Sequence, residues 1–446
     1  MSSDQQGVMP KLSILMFIQF FIWGTWYLSV SLYMYENGMG DVRYYAYTAG
    51  PLGAIIAPFF TGLIADRFFN TEKVLATLFL LAGAFMMLLP VVGGMEGEAL
   101  ATQGDLVTAM EVSFLGATWV KGELFNYIIL AHMLCYMPTL GLTASLAFHH
   151  MPKGSTQFPM VRLWGTIGWI VAGFTIAFAL RETDAAGEVI TKGELRPEQF
   201  QLGGIAAVLL GAFCFFLPKT PAPKKGQAVD WGTLFFVDAW KQLMRPSFAV
   251  FMIGSFLVCI PLAAYYASLQ QQMEAMAFSN IAAWKNVGTF IEAGMMFLMP
   301  FFFRRLGVRW MIIAGIGAWA LRYVLFSLGA SPEGFWLVVG GIALHGFCYD
   351  FFFVTGQVYA DQATGPDIRG QVQSMLIFFT QGLGLFFGAL AANSLAAKTF
   401  GDVPSNTAAA LELWPDFWWP LAGLATVLMV LFIFFFRPDP VAETKA

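Results

Sequence analysis

The chain has 446 residues, of which 58% are hydrophobic and only 12% carry a charge. A soluble protein carries about 25% charged residues, so the composition excludes an ordinary soluble enzyme and predicts an integral membrane protein. The net charge of −4 indicates no particular partner beyond the lipid bilayer, and we expect no nucleic-acid partner.

Continuous apolar runs of roughly 20 residues predict α-helical spans, because barrel strands would instead alternate polar and apolar residues over about 10 positions. The sequence therefore predicts an all-α integral membrane protein with twelve transmembrane helices. The spans lie near 11–34, 44–65, 74–93, 125–148, 160–180, 203–217, 247–270, 282–303, 309–329, 335–359, 370–395 and 415–436.

A segment rich in proline and lysine separates two sets of six spans, the layout of a transporter built from two repeats. We expect an N-terminal half over residues 1–217, a cytoplasmic linker with an interfacial helix over 218–246, a C-terminal half over 247–436 and a cytoplasmic tail over 437–446. Lysine and arginine concentrate in alternate loops, and the positive-inside rule then places both termini in the cytoplasm, with the chain in the inner membrane.

Charged residues within the spans are the first functional candidates, because hydrocarbon tolerates them only beside a partner or a wet cavity. Five such residues, histidines apart, lie well inside the predicted spans. They are Arg162, Lys285, Glu292, Arg322 and Asp350.

The fifth span carries a possible recognition face. Arg162, Thr166 and Trp169 are spaced by four and then three residues, so they share one side of a helix. A guanidinium fork, a hydroxyl and a flat ring together suit ligand recognition. Alternatively, Arg162 extends to the cytoplasmic interface. We also expect Gly165, Gly168 and Gly173 to let neighbouring helices approach closely.

The eighth span has a polar stripe in the stretch WKNVGTFIEAG, residues 284–294. Lys285, Thr289 and Glu292 share one face, which should line a cavity, and Gly288 leaves room for a close neighbour. Two other interpretations remain open. Lys285 could neutralise Glu292 as an ion pair, or it could reach the membrane interface.

The tenth span places Asp350 in an aromatic-rich helix, with His345 and Tyr349 on nearby faces. A carboxylate in an apolar setting can bind and release protons near neutral pH. Asp350 and Glu292 are therefore candidate proton-coupling groups. The alternative is a permanent structural pair between Asp350 and Arg322 on the preceding span.

The first span adds Gln19 and Trp23, which could line the same cavity or act as interface anchors. No enzyme motif stands out, since the chain has neither a phosphate-binding P-loop nor an H-E-x-x-H sequence. We therefore expect no enzymatic activity, no cofactor and no metal.

Several blocks of the chain resemble the nucleoside:proton symporters of the major facilitator superfamily. The resemblance covers almost the whole chain in the same order, and the RxWGTIG and DFF blocks are its most specific parts. The blocks are FIQFFIWGTW (17–26), GLIADR (62–67), YMPTLGL (136–142), FPMVRLWGTIGW (158–169), AWALRYVLF (318–326), YDFFFVTG (349–356) and IRGQVQSM (368–375).

The resemblance implies the twelve-helix major facilitator fold, with alternating access to a central site between two six-helix halves. It implies purine or pyrimidine nucleosides as imported substrates and protons as the coupling ion, and we expect a monomer. The implied site residues are Arg162, Thr166 and Trp169 of the fifth helix, Glu292 of the eighth, and His345, Tyr349 and Asp350 of the tenth.

The chain departs from the family where the seventh helix would offer amides to the substrate, since Ala263 and Tyr266 stand there. It also has Thr289 in place of a glutamine and His345 in place of a tyrosine. We therefore expect Trp169 and Tyr266 to stack on the substrate ring, and Thr289 to donate a hydrogen bond to it.

Two other functions stay open on the sequence alone. Because amides are replaced and aromatic residues added, the cargo could be a sugar or another polyhydroxylated solute. The chain could also be a non-transporting membrane sensor, although the tail RPDPVAETKA is short for a signalling module.

Overall fold

The structure is a computed structural model. It describes residues 3–27, 29–56, 68–103, 106–151, 154–184, 189–222, 237–278, 281–364, 368–401 and 403–438.

Some predicted features lie outside these residues. The GLIADR block, residues 223–236 of the predicted linker and most of the predicted tail are not among them. The short helix α7, Val237–Gln242, lies in the described end of the linker and is where an interfacial helix is predicted.

The chain groups into two compact units. The first comprises Met1–His150 and Trp164–Asp230, and the second comprises Met151–Leu163 and Trp231–Ala446. The fifth predicted span therefore contributes residues to both units, with Arg162 in the second and Thr166 and Trp169 in the first.

The first unit is built mainly of apolar helices. Residues 49–56 are also helical, up to the edge of the described range. Its labelled helices are α1 (Ser3–Gly24), α2 (Val30–Glu36), α3 (Thr71–Gly93), α4 (Lys121–His150), α5 (Gly154–Phe174, which begins in the second unit) and α6 (Glu198–Cys214).

The predicted first span is interrupted, because α1 ends at Gly24 and α2 begins at Val30. Backbone N–H groups of Thr25, Tyr27 and Val30 still donate to the carbonyl four residues earlier, and hydroxyl groups add further bonds in this interval. Thr25 donates to the carbonyl of Ile22 at 2.8 Å, and Ser29 donates to Gln199 Oε1 at 2.5 Å. These bonds fix the chain where it leaves the helix.

The predicted loop over residues 94–124 contains a three-stranded antiparallel sheet of β1 (Glu98–Gln103), β2 (Leu106–Phe114) and β3 (Ala117–Val120). Leu115 and Gly116 connect β2 to β3 with positive φ angles of 52° and 79°. Two consecutive positive φ values are typical of a tight type I′ hairpin. The loop predicted between the fifth and sixth spans, residues 181–202, holds β4 (Glu182–Thr183) and β5 (Val189–Thr191).

The second unit also consists of helices, several of them interrupted. A π-helical turn covers Asp350–Val354 and another covers Phe378–Gly384. The remaining helices are α8 (Pro246–Ala275), α9 (Ile281–Leu328), α10 (Phe335–Ala343), α11 (His345–Tyr349), α12 (Thr355–Ala363), α13 (Arg369–Ile377), α14 (Leu385–Phe400) and α15 (Trp414–Phe435).

Nine helical segments within the described ranges are long and apolar enough to cross a membrane. One of them, Trp284–Leu328, has 45 residues, about twice the length that one crossing needs. It contains the predicted eighth and ninth spans, with a break at Gly307, where φ is 65°. The predicted sixth span corresponds to the shorter α6, and the second is described only as far as residue 56.

Candidate functional site

The first unit contains an aromatic cluster, which we define as Trp23, Tyr27, Tyr47 and Trp169. Trp23 stands edge-on to Trp169, with ring centroids 5.8 Å apart and planes at 84°. Tyr27 contacts Trp23, Trp169 and Tyr47, the last at 5.2 Å. All four rings are only partly buried, so each keeps some surface for another molecule.

A chain of hydrogen bonds lies beside this aromatic cluster. Gln19 Nε2 donates to Thr139 Oγ1 at 2.8 Å, and the Tyr136 hydroxyl donates to the carbonyl of Gln19 at 2.6 Å. Within the described residues, Gln19 Oε1 and Trp23 Nε1 are buried without a hydrogen-bond partner. One acceptor and one donor therefore lie unsatisfied next to the aromatic rings, which is costly for buried polar groups.

Two glycines bring α1 and α5 together so that Trp23 and Trp169 can meet. A Cβ atom at Gly168 would overlap the backbone carbonyl of Phe17, and one at Gly24 would lie 2.9 Å from the Cβ of Ala172. The predicted close packing at Gly168 is therefore confirmed. The same prediction for Gly173 is not met among the described residues, where no atom beyond its own helix backbone lies within 4 Å of a Cβ there.

The predicted first-unit residues lie together: Gln19, Trp23 and Trp169 meet at the aromatic cluster, and Thr166 is buried one turn before Trp169. Sequence reasoning missed Tyr27, Tyr47 and Thr139. Tyr27 follows Trp23 by one helical turn, a spacing that could have revealed it. Tyr47 could not be found this way, because it comes from a separate 3₁₀ segment, Gly40–Tyr47.

The second unit contains an ionisable cluster, which we define as Arg162, Glu292, His345, Tyr349 and Asp350. His345 Nε2 lies 3.7 Å from Glu292 Oε2, and the rings of His345 and Tyr349 lie 5.7 Å apart. Glu292, His345, Arg162 and Asp350 are all buried, with Asp350 at 0% exposure. The predicted proximity of eighth-span and tenth-span residues is therefore observed.

Glycines also let the helices of the ionisable cluster approach each other closely. A Cβ atom at Gly288 would lie 3.0 Å from both the Cβ of His345 and the carbonyl oxygen of Ile342. A Cβ atom at Gly346 would lie 2.8 Å from the backbone nitrogen of Glu292. The close neighbour predicted at Gly288 is confirmed, and it is the helix that carries His345.

Asp350 opens the π-helical turn Asp350–Val354, and such turns are frequent at functional sites. Neither of its carboxylate oxygens has a hydrogen-bond partner within the described ranges. The charges that act on it belong to Glu292 and Arg162. The alternative of a permanent pair with Arg322 is wrong, because Arg322 donates to the carbonyls of Gly341 and Ile342 instead.

Lys285 does not neutralise Glu292. The acidic group that acts on Lys285 is Glu274, whereas Glu292 faces His345. Thr289 is partly buried one turn before Glu292, as expected for a residue on the same face.

Arg162 is 7% exposed, and its charge acts on Tyr349 and Asp350. A guanidinium that extends to the membrane interface would be exposed at its tip, so the burial favours the interior position. Tyr266, in contrast, is 52% exposed and contacts Tyr265 at 5.4 Å. An exposed ring is available for stacking, while Ala263 beside it is buried.

The two clusters differ in chemistry. The aromatic cluster can stack on a flat ring and hydrogen-bond to its polar edges, whereas the ionisable cluster can take up and release protons. No group of three or more histidine, cysteine, aspartate or glutamate side chains suited to a metal ion occurs among the residues described.

Comparison with known proteins gives a consistent result. The family profile described as "Nucleoside H+ symporter" matches residues 7–95 and 99–440. The chain is 33% identical over 434 residues to the putative nucleoside transporter YegT of Escherichia coli (strain K12), covering 96% of this chain and 93% of that protein. It is 26% identical over 444 residues to the nucleoside permease NupG of the same organism, covering 96% and 95%.

The crystal structure of the nucleoside transporter NupG has the same fold. It superposes with a TM-score of 0.63 at 24% sequence identity, and covers 97% of this chain and 99% of that chain. The match extends over nearly the full length of both proteins.

Proposed function

The chain belongs to the nucleoside H+ symporter family, and on this premise we propose how its two clusters divide substrate binding and proton coupling. As a member of that family with the major facilitator fold, it imports nucleosides together with protons. The aromatic cluster of the first unit binds the nucleobase, and the ionisable cluster of the second unit carries the proton.

Nucleobase binding by the first unit is supported by the partly exposed rings of Trp23 and Trp169, because any base presents a flat face for stacking. Gln19 Oε1 and Trp23 Nε1 are buried beside these rings without a partner in the described structure, so substrate binding has to expose them before they pair with polar edges of the base. They then supply recognition that the seventh helix lacks at Ala263 and Tyr266. Thr166, buried one turn before Trp169, adds a hydroxyl on the same helix.

In the second unit, Arg162, Thr289, His345 and Tyr349 contact the nucleoside, with Tyr266 at the exposed edge. Glu292 and Asp350 bind the coupling proton. The observation that carries this assignment is Asp350, which is fully buried with both oxygens unpaired in the described structure and with a second carboxylate acting on it. Keeping two buried carboxylates in one cluster ionised is costly, which suits a site that binds a proton.

The assignment is tested by uptake of labelled uridine and adenosine into proteoliposomes with an imposed inward proton gradient. We expect the wild type to accumulate nucleoside and to lose accumulation when a protonophore is added. Asp350→Asn and Glu292→Gln should lose gradient-driven accumulation while keeping exchange of internal for external nucleoside. The matched control is Glu333→Gln, which changes an exposed carboxylate just before the span that carries Asp350.

Full accumulation by the Glu292→Gln, Asp350→Asn double variant would contradict the proton role. Competition by sugars but not by nucleosides would contradict nucleobase binding.

Arg162 has two possible functions within this proposal: a clamp on the substrate or a counter-charge for Asp350. Arg162→Lys separates them, because lysine keeps the charge but loses the planar fork. We expect a higher KM for nucleoside and an unchanged pH profile, as for a substrate clamp. An unchanged KM with a displaced pH profile would mean that Arg162 acts only as a counter-charge for Asp350.

The uneven distribution of lysine and arginine among the loops supports a location in the inner membrane with both termini in the cytoplasm. We propose that the transporter acts as a monomer. Light scattering of the purified protein at a mass above one chain would contradict this.

A further inference from the structure

Arg322 is a charged side chain in the second unit that belongs neither to the ionisable cluster nor to an ion pair within the described structure. It lies on α9 at 0% exposure, where an unpaired cation has a high energetic cost. Its guanidinium lies 4.0 Å from the centroid of the Tyr265 ring. Its remaining contacts explain why the charge is retained.

The guanidinium donates to the last turn of α10. Nε donates to the carbonyl of Gly341 at 2.9 Å, and Nη2 approaches that of Ile342 at 3.5 Å. Helix α10 ends at Ala343 and α11 begins at His345. The last carbonyls of a helix lack an N–H partner in the helix, and a cation is favourable there. Arg322 therefore caps the break between α10 and α11.

The residue that follows this break is His345. Its ring stacks on Tyr265, with centroids 5.5 Å apart and planes at 22°, and its Nε2 faces Glu292 at 3.7 Å. Tyr265 therefore contacts both Arg322 and His345. Arg322, Tyr265, His345 and Glu292 therefore form one buried layer. It connects the arginine at the helix break to the carboxylate that we assign to proton coupling.

Arg322 and His345 both contact the Tyr265 ring. Two cations in one buried layer repel each other, so Arg322 opposes a positive charge on His345. The titratable and charged groups that act on this layer come from every packed element. They are Tyr265 and Tyr266 on α8, Glu292, Arg322 and Tyr323 on α9, Cys348 and Tyr349 on α11, Asp350 after it, and Arg162 on α5.

We propose that Arg322 is a positioning residue for proton coupling: it fixes the helix break that holds His345 against Glu292, and its guanidinium places a positive charge beside the same buried layer. This inference rests on the proposed function, because it requires Glu292 to carry a proton. It assigns Arg322 no contact with the substrate.

Two substitutions separate the geometric effect of Arg322 from its electrostatic effect. Arg322→Lys keeps a cation but cannot donate to two carbonyls in a fixed fork. We expect it to lower the maximal rate of proton-driven uptake about tenfold, equivalent to 1.4 kcal/mol, without moving the pH profile. Arg322→Gln keeps one donor but removes the charge.

With the charge gone, His345 can take up a proton and form an ion pair with Glu292. Protonation of Glu292 then requires a more acidic outer solution, so the pH profile of Arg322→Gln should move to lower pH. In a Glu292→Gln background, Arg322→Gln should cause no such displacement. A purely structural role would lower the rate without moving the profile.

The matched control is Arg309→Lys, which changes another arginine of α9 that donates to a backbone carbonyl, that of Ile433 at 2.7 Å. It should keep the wild-type rate and pH profile. Thermal melting of each purified variant reports folding. If Arg322→Gln does not fold, Arg322→Lys decides: a folded Arg322→Lys protein with the wild-type rate overturns the proposal.

The outcomes also separate this inference from the proposed function. If Glu292→Gln remains fully proton-coupled, the assignment of Glu292 is wrong and the inference falls with it. If Glu292→Gln loses coupling while a folded Arg322→Gln protein keeps the wild-type pH profile, only the role of Arg322 is wrong.

Discussion

The two clusters are built by the same packing device but carry opposite chemistry. In each, glycines let two helices approach: Gly24 and Gly168 in the first unit, and Gly288 and Gly346 in the second. The first cluster holds aromatic and amide groups, whereas the second holds two carboxylates, a histidine and an arginine. Changes in the first cluster should therefore alter affinity, whereas changes to the two carboxylates of the second cluster should alter coupling to pH.

The largest expected effect comes from Gly346→Val. Its Cβ would lie 2.8 Å from the backbone of Glu292, so the helices must separate. Overpacking of this kind costs about 1–3 kcal/mol. We expect a lower melting temperature and the loss of proton-driven uptake. Gly294→Val on α9 is the control, since a Cβ there meets no atom of the rest of the described structure within 4 Å; equal damage by both variants would contradict the explanation.

Next is Trp23→Ala, which removes the central ring of the aromatic cluster. Stacking of a base on an aromatic side chain contributes about 1–3 kcal/mol. We expect KM for uridine and adenosine to rise about tenfold or more, with an unchanged pH profile. Trp164→Ala changes a 45% exposed ring on α5 and should leave KM unaltered. A displaced pH profile in Trp23→Ala would show that the clusters do not divide the two tasks.

A smaller effect is expected for Thr139→Val, which removes the acceptor for Gln19 Nε2. One hydrogen bond contributes about 0.5–1.5 kcal/mol, so we expect KM to rise by a few-fold as the Gln19 amide loses its orientation. Thr77→Val, which loses only a bond to the carbonyl of Lys73 in its own helix, is the control. An unchanged KM in Thr139→Val would exclude the Gln19 amide from binding.

The smallest effect is expected outside both clusters, at the ion pairs of Arg196 with Glu182 and Glu198. The hydrogen bond from Arg196 lowers the pKa of Glu198. A carboxyl whose pKa is lowered on folding stabilises the protein above its unfolded pKa, and this contribution disappears as pH falls through the folded value. Arg196→Met should slightly lower the melting temperature at neutral pH and match the wild type in acid, with transport unchanged.

A pH-independent difference between Arg196→Met and the wild type would contradict that account, as would any change in KM. The melting temperature across a pH series measures the stability difference, and uptake at neutral pH measures KM.

Sequence periodicity predicted the residues that share one helix better than those that meet from different helices. The stripe of Thr289 and Glu292 and the face of Thr166 and Trp169 follow from helical spacing alone. The partner of Glu292 did not follow, because any of several charged residues could have met it. His345 is that partner because Gly288 and Gly346 set the helix contact.

The intramembrane arginines show the same limit. The sequence identified both Arg162 and Arg322 as costly in hydrocarbon. Charge alone, however, suggested that Arg322 forms an ion pair with Asp350. The structure instead uses Arg322 on carbonyls released at a helix break, and a break inside an apolar run has no strong sequence signal. The interruption of the first span was missed for a similar reason, since the hydrogen bond between Ser29 and Gln199 joins residues far apart in sequence.

The hairpin at Leu115 and Gly116 offers a site for inserting an epitope or a label into this transporter. Leu115 is 91% exposed at the tip of two paired strands, and exposed loop tips tolerate insertions well. A short epitope or a small fluorescent label placed there would be displayed outside the helical core on a rigid support. Antibody access to that tag in intact and permeabilised cells would then report which face of the membrane carries the sheet.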